Sequence, residues 1–252
     1  MKAITLSLRP LAVLAVAALL FAGACKKDKS GTRIGETTNY QGSTLSTYIT
    51  TDEDGHPVEA GFTIPETAFN SFDALTADVD WSLDFPTGDN ETPFVHMWAG
   101  YNPHGHEPLG IYDKPHFDFH FYMTSEAERL AITPADTVAG AKPLPAGEMP
   151  ATYINTGLVP TMGAHWIDVT APELNGQPFT ETFIFGSFDG KMTFYEPMIT
   201  KAFIEEKHNF EKAIPAVTAY RFPGKYYPTK FGFKHDHDAD AHHFYLTGFV
   251  KR

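Results

Sequence analysis

Taken two residues at a time, much of this chain alternates. In HFDFHFYM, residues 116–123, Phe117, Phe119, Phe121 and Met123 fall on one face, and His116, Asp118, His120 and Tyr122 on the other. That is the period of an extended strand. Comparable runs at 44–50, 58–64, 79–85, 94–101, 164–169, 182–188, 191–196, 226–234 and 242–250 predict further strands. Asp54-Gly55 marks a hairpin turn between 44–50 and 58–64, and Asp189-Gly190 marks another between 182–188 and 191–196. A two-residue loop at the second turn pairs Phe188 with Lys191, Phe185 with Phe194 and Phe183 with Glu196. Glu196 then ends a face carrying Phe183, Phe185, Met192 and Phe194. A carboxylate there either finds a partner or reaches water, since burying it alone is costly.

Helical periodicity is scarce. SEAERLAI, 125–132, opens on Ser125 and has Glu128 three residues on, the pattern of a capping box. Residues 197–207 start at Pro197 and repeat apolar side chains at Met198/Ala202 and Ile199/Phe203. PETAFNSF, from Pro65, is a third, weaker candidate. The Pro/Gly-rich stretch 133–150 predicts an irregular surface loop or lid. There is no internal repeat. These elements predict an α+β, strand-dominated domain over residues 43–252, an antiparallel β-barrel or sandwich with a few short helices.

The first 24 residues break the pattern. Lys2 and Arg9 precede an apolar run of about fifteen residues, shorter than the roughly twenty needed to span a bilayer. Ala22, Gly23 and Ala24 then precede Cys25, the sole cysteine. The segment reads as a cleaved export signal with a lipobox-like end, in which Ala22 stands where Leu is usual. Lipidated at Cys25, the protein would be held to a membrane by acyl chains, at the outer membrane or cell surface, with no thiol left for disulfide or metal. The alternative is a plain secretory signal. Residues 25–42, polar and without periodicity, read as a flexible tether.

The net charge of the whole sequence is −12. Residues 1–24 hold two basic and no acidic residues, so their removal makes it −14. Such a balance argues against nucleic acid, which needs clustered Lys and Arg. The 21 Phe and 11 Tyr supply apolar area for a sizeable core.

Twelve histidines are unevenly spread. NPHGHEPLGIYDKPHFDFHFY contains His104, His106, His116 and His120; His165 follows in MGAHWID, and Glu196 in FYEPMIT. Imidazoles from one strand face, another from a neighbouring segment and a carboxylate make a ligand set for zinc, iron, manganese or copper. The candidate ligands are His104, His106, His116, His120, His165 and Glu196, with Asp118 and Tyr122 as supporting positions behind them. A metal-free polar network or an organic carboxylate site would use the same residues. A second group, HDHDADAHH at 235–243, lies between two predicted strands and reads as a solvated hairpin loop that could hold metal loosely. Neither a phosphate loop nor a nucleophile elbow is present.

At NPHGHEPLGIYDKPHFDFHFYM, MGAHWID and GSFDGKMTFYEPMIT, the chain resembles a family of uncharacterised bacterial exported proteins, the Thermus TTHB-type domain. The resemblance runs from Val79 to the C-terminal strand. It implies a shared site at His104, His106, His116, Asp118, His120, His165 and Glu196, and is compatible with a homo-oligomer, without naming a chemistry. The 235–243 loop and the lipobox fall outside the family pattern. Cupins, also rich in His-x-His, fit less well because their second motif is missing. The expectation is an envelope lipoprotein with a metal-binding pocket. Its alternatives are a metal-dependent enzyme of hydrolase or lyase type at that site, and a non-catalytic structural or oligomerising module.

Overall fold

A computed structural model describes Met1 and residues 28–252. The signal-like run and Cys25 lie outside the described residues. In chain order the strands are β1 (Gly31–Tyr40), β2 (Ser43–Thr51), β3 (Pro57–Pro65), β4 (Val79–Asp84), β5 (His96–Asn102), β6 (His116–Tyr122), β7 (Tyr153–Val159) and β8 (Gly163–Asp168). They continue as β9 (Glu181–Phe188), β10 (Lys191–Thr200), β11 (Asn209–Ala213), β12 (Tyr226–Tyr227), β13 (Lys230–Asp236), β14 (Ala241–Thr247) and β15 (Val250–Lys251). The α-helices are short: α1 (Glu66–Ser71), α2 (Glu126–Leu130), α3 (Thr137–Gly140) and α4 (Lys201–Lys207).

Two large antiparallel sheets result. One runs β1-β2-β3-β14-β13-β11, the other β4-β5-β6-β10-β9-β8-β7, and β12 pairs with β15 apart from both. The sheets stay open and stack as a sandwich, so of the two expected architectures the sandwich is the one found. The layers meet through aromatic rings. Phe119 of β6 stacks on Phe244 of β14 at 4.3 Å and packs on Phe62 of β3, while Phe183 of β9 meets Phe231 of β13 at 5.2 Å. Phe117, Phe119 and Phe121 are all fully buried. Each such ring contributes roughly 1.5–3 kcal/mol of burial.

The other face of the seven-stranded sheet looks away from this core. It carries a second, smaller apolar cluster of Tyr112, Tyr122, Phe179, Ile184, Phe194 and Met198. The polar half of the β6 alternation therefore points into a second interior, not into solvent. All seven β6 side chains are buried.

Several expectations change. Residues 31–40, taken as tether, form β1, a mostly exposed edge strand paired along β2. Backbone pairing holds it, so no apolar alternation was needed to mark it. The stretch 133–150 includes α3, and the helix expected from Pro197 begins only at Lys201, because β10 runs on to Thr200. The Ser125–Glu128 capping box is present with both of its reciprocal bonds.

The β9–β10 register also differs in a way that decides the site. The Asp189-Gly190 turn forms with positive φ at both residues and pairs Phe188 with Lys191, as expected. An irregularity between Met192 and Phe194 then adds one residue to β10, so Tyr195 faces Phe185 and Glu196 faces Ile184. Since a shift of one residue exchanges the faces of a strand, Tyr195 joins the core while Phe194 and Glu196 move to the outer face. Gly186 makes room for this. A Cβ at Gly186 would overlap the Phe194 ring.

Candidate metal centre

Three antiparallel strands assemble the outer-face site. On β6, His116, Asp118 and His120 project outward, flanked on β5 by Asn102, Gly100 and Trp98 respectively. On the other side, Tyr195↔Phe121 and Met198↔Asp118 bracket Glu196, which lies beside His120. β8 contributes His165, paired with Gly186.

The candidate ligands separate into two groups. His120 Nε2 lies 3.3 Å from Glu196 Oε1 and 3.4 Å from His165 Nε2, and His165 Nε2 lies 3.6 Å from Glu196 Oε2. The second group is His116, Asp118 and His106: His116 Nε2 is 3.0 Å from Asp118 Oδ1, and His106 Nε2 is 3.5 Å from Asp118 Oδ2. The expectation that His116 and His120 serve one ion together is corrected here. Four residues of strand span roughly 13 Å, too far for two imidazoles to share an ion. Asp118, expected in support, is instead a donor at the centre of its group. His104 belongs to neither; it is an exposed residue in the turn after β5. Tyr122 supports the first group by stacking near-parallel to His120 at 5.7 Å, with its hydroxyl donating to the Met162 carbonyl.

The tautomers are set from behind. His116 Nδ1 is 2.7 Å from the Lys114 carbonyl, His106 Nδ1 is 2.7 Å from the Glu107 carbonyl, and His165 Nδ1 is 3.2 Å from the Gly163 carbonyl. A carbonyl only accepts, so each Nδ1 carries a proton and each ring turns its Nε2 toward its group. Asn102 donates to Asp118 Oδ2 at 2.6 Å and steadies that carboxylate. Gly105 takes φ 69° against the backbone of Asp113 and Lys114, a close approach that only glycine permits, and so sets the neighbouring His106.

Burial shapes the charges. It holds the His120 imidazole well below its usual range, with repulsion from His165 adding to the effect, and pushes His165 down to about 4. Both rings are therefore neutral at pH 7, as metal ligands must be. Burial raises Glu196 well above the carboxylate range, and the Asp118 charge pushes it further. At Asp118 burial also acts upward, but the adjoining imidazoles of His116 and His106 outweigh it, holding the carboxyl far below normal.

Both groups open into one cavity of about 700 Å³, whose floor includes His106, Asp118, His120, His165 and Glu196. Its walls are largely apolar, with Trp98, Tyr112, Leu158, Met162, Ile167 and Met198. Pockets of this size and character commonly receive small molecules.

The 235–243 stretch, expected as a solvated loop, is mostly strand, since β13 runs to Asp236, β14 starts at Ala241 and His242 is buried. His235 and His242 converge on Glu66, at the start of α1, as a third group of donor atoms. Nothing in the sequence marked Glu66, since an acid in the first turn of a helix is ordinary.

Compared with protein-family models, curated proteins and solved structures, the chain matches none.

Proposed function

We propose that this chain is an envelope lipoprotein, anchored through Cys25, whose pocket binds divalent transition metal at His120–His165–Glu196 and at His106–His116–Asp118. The observation that carries the metal assignment is the contact between His116 Nε2 and Asp118 Oδ1. These atoms are buried and 3.0 Å apart, yet neither makes a hydrogen bond. His116 Nδ1 is turned to the Lys114 carbonyl, so Nε2 is the ring atom left to meet Asp118. Buried polar groups are normally paired, and a cation held by both atoms would satisfy them. Glu196 Oε2 is likewise buried without a hydrogen-bond partner beside His165 Nε2.

Two imidazoles and a carboxylate suit zinc, iron(II), manganese or copper. Elemental analysis of the purified chain should find bound transition metal, and His120→Asn with His165→Asn should remove about one equivalent. Retention of the full metal content by a folded double variant would overturn the assignment to that group. For the anchor, Cys25→Ser should move the protein from the membrane fraction to the soluble one.

A second reading, a metal-dependent enzyme of hydrolase or lyase type, draws support from the open side of each group. Three protein donors leave coordination positions toward the cavity, as catalytic sites do and closed structural sites do not. A bound ion there would lower the pKa of water or polarise a carbonyl. With cobalt(II) in the site, azide should change the visible spectrum if those positions are open.

A further inference from the structure

We infer that Glu66, His235 and His242 form a separate binding site for a divalent transition metal, independent of the pocket. The three residues come from distant parts of the chain: Glu66 opens α1, His235 lies on β13, and His242 faces it across the β13–β14 pair. Asn70 donates to Glu66 Oε1 at 3.0 Å, which turns Oε2 toward the histidines. His242 Nε2 lies 2.6 Å from that oxygen and His235 Nε2 lies 3.3 Å from it. One carboxylate oxygen thus has two imidazole nitrogens against it. His235 Nε2 is buried and makes no hydrogen bond.

The framework around these donors is fixed. The His242 ring stacks on Phe69 at 4.0 Å and on the His235 ring at 4.6 Å. The backbone N–H of Glu66 donates to the Asp240 carbonyl, and that of His235 to the His208 carbonyl. His237, with its ring 4.4 Å from His235, is near enough to supply a fourth donor from the loop side. The site is also apart from the pocket. Phe69 stacks on the core-facing Phe117, whereas the pocket donors His116, Asp118 and His120 leave β6 from the opposite face.

Two imidazoles with one carboxylate select zinc, cobalt, nickel or copper over the harder calcium and magnesium, which prefer all-oxygen sets. An ion here would clamp α1 to the β13–β14 hairpin.

Zinc titration of the metal-free full-length chain, followed at the imidazole NMR signals of His235 and His242, tests the site directly. Both signals should shift with zinc and stay unmoved with calcium. Glu66→Gln should weaken zinc binding at these signals at least tenfold while leaving the metal content of the pocket unchanged. Should Glu66→Gln fail to fold, His235→Gln, which alters a partly exposed ring, carries the same expectation. Signals that remain still while the pocket fills with zinc would overturn the site, as would unchanged affinity in either folded variant. His120→Asn with His165→Asn should leave these shifts intact, so failure of the pocket assignment and failure of this one read out differently.

Discussion

A single buried histidine outside the donor groups reports on acid sensitivity. His96 is 1% exposed, stacks on Tyr122 at 4.7 Å and faces Arg129 and Glu126. Burial, reinforced by Arg129, pushes its pKa down to about 4, from an ordinary value of 6.5. The unfolded chain therefore takes up a proton below pH 6.5 that the folded chain refuses until about pH 4, and stability falls as pH drops through that window. Replacing His96 with Phe should reduce the loss between pH 6.5 and pH 5 by about 1.5 kcal/mol, the slope reaching its full 1.36 kcal/mol per pH unit only below pH 6. Urea unfolding of both proteins at the two pH values measures it; equal losses would refute the assignment. At this scale the sequence was informative about which side chains share a face, because period two is visible in the chain itself. Parity alone did not divide His116 from His120, but the roughly 13 Å that four strand residues span does, and that spacing was already legible in the chain. Nothing hinted at Glu66, whose partners lie about 170 residues or more away in the chain.

Among the elements, β10 carries the most consequence per residue. Its one-residue irregularity sends Tyr195 into the core and Glu196 into the pocket. Phe194, beside Glu196, packs on both His120 and His165, with ring centroids at 4.7 and 5.0 Å. Gly186→Ala should push this ring aside, costing about 1–3 kcal/mol through overpacking. Because Phe194 backs both imidazoles, metal binding at His120–His165–Glu196 should weaken as well. Urea denaturation and zinc titration check the two effects, and an unperturbed variant would show that Phe194 does not fix the imidazoles. The hairpin was legible in Asp189-Gly190, and most strands were legible in their alternation. The added residue in β10 was not, because strand bulges carry no fixed sequence mark, and a simple two-residue loop assigns the opposite faces. β1 was missed for a related reason: its residues are mostly exposed, so its sequence resembles that of a linker.

For the molecule as a whole, β1 closes one side of the six-stranded sheet by covering β2. Deleting residues 26–42 should bare the β2 edge, and unpaired edges invite pairing between chains. Size-exclusion chromatography with light scattering should then show a larger mass per particle than for the intact protein; an unchanged state of association would count against a protective role for β1. A different consequence follows from β6, the strand buried on both faces and bonded on both sides by β5 and β10. Three of the pocket donors sit on this strand, whose backbone is tied along both edges. Little of the chain must be ordered when an ion arrives, so capture should cost little entropy and proceed at a pace set by the ion shedding its water. Departure of the ion should leave the strand where it was, a socket that keeps its shape between occupants.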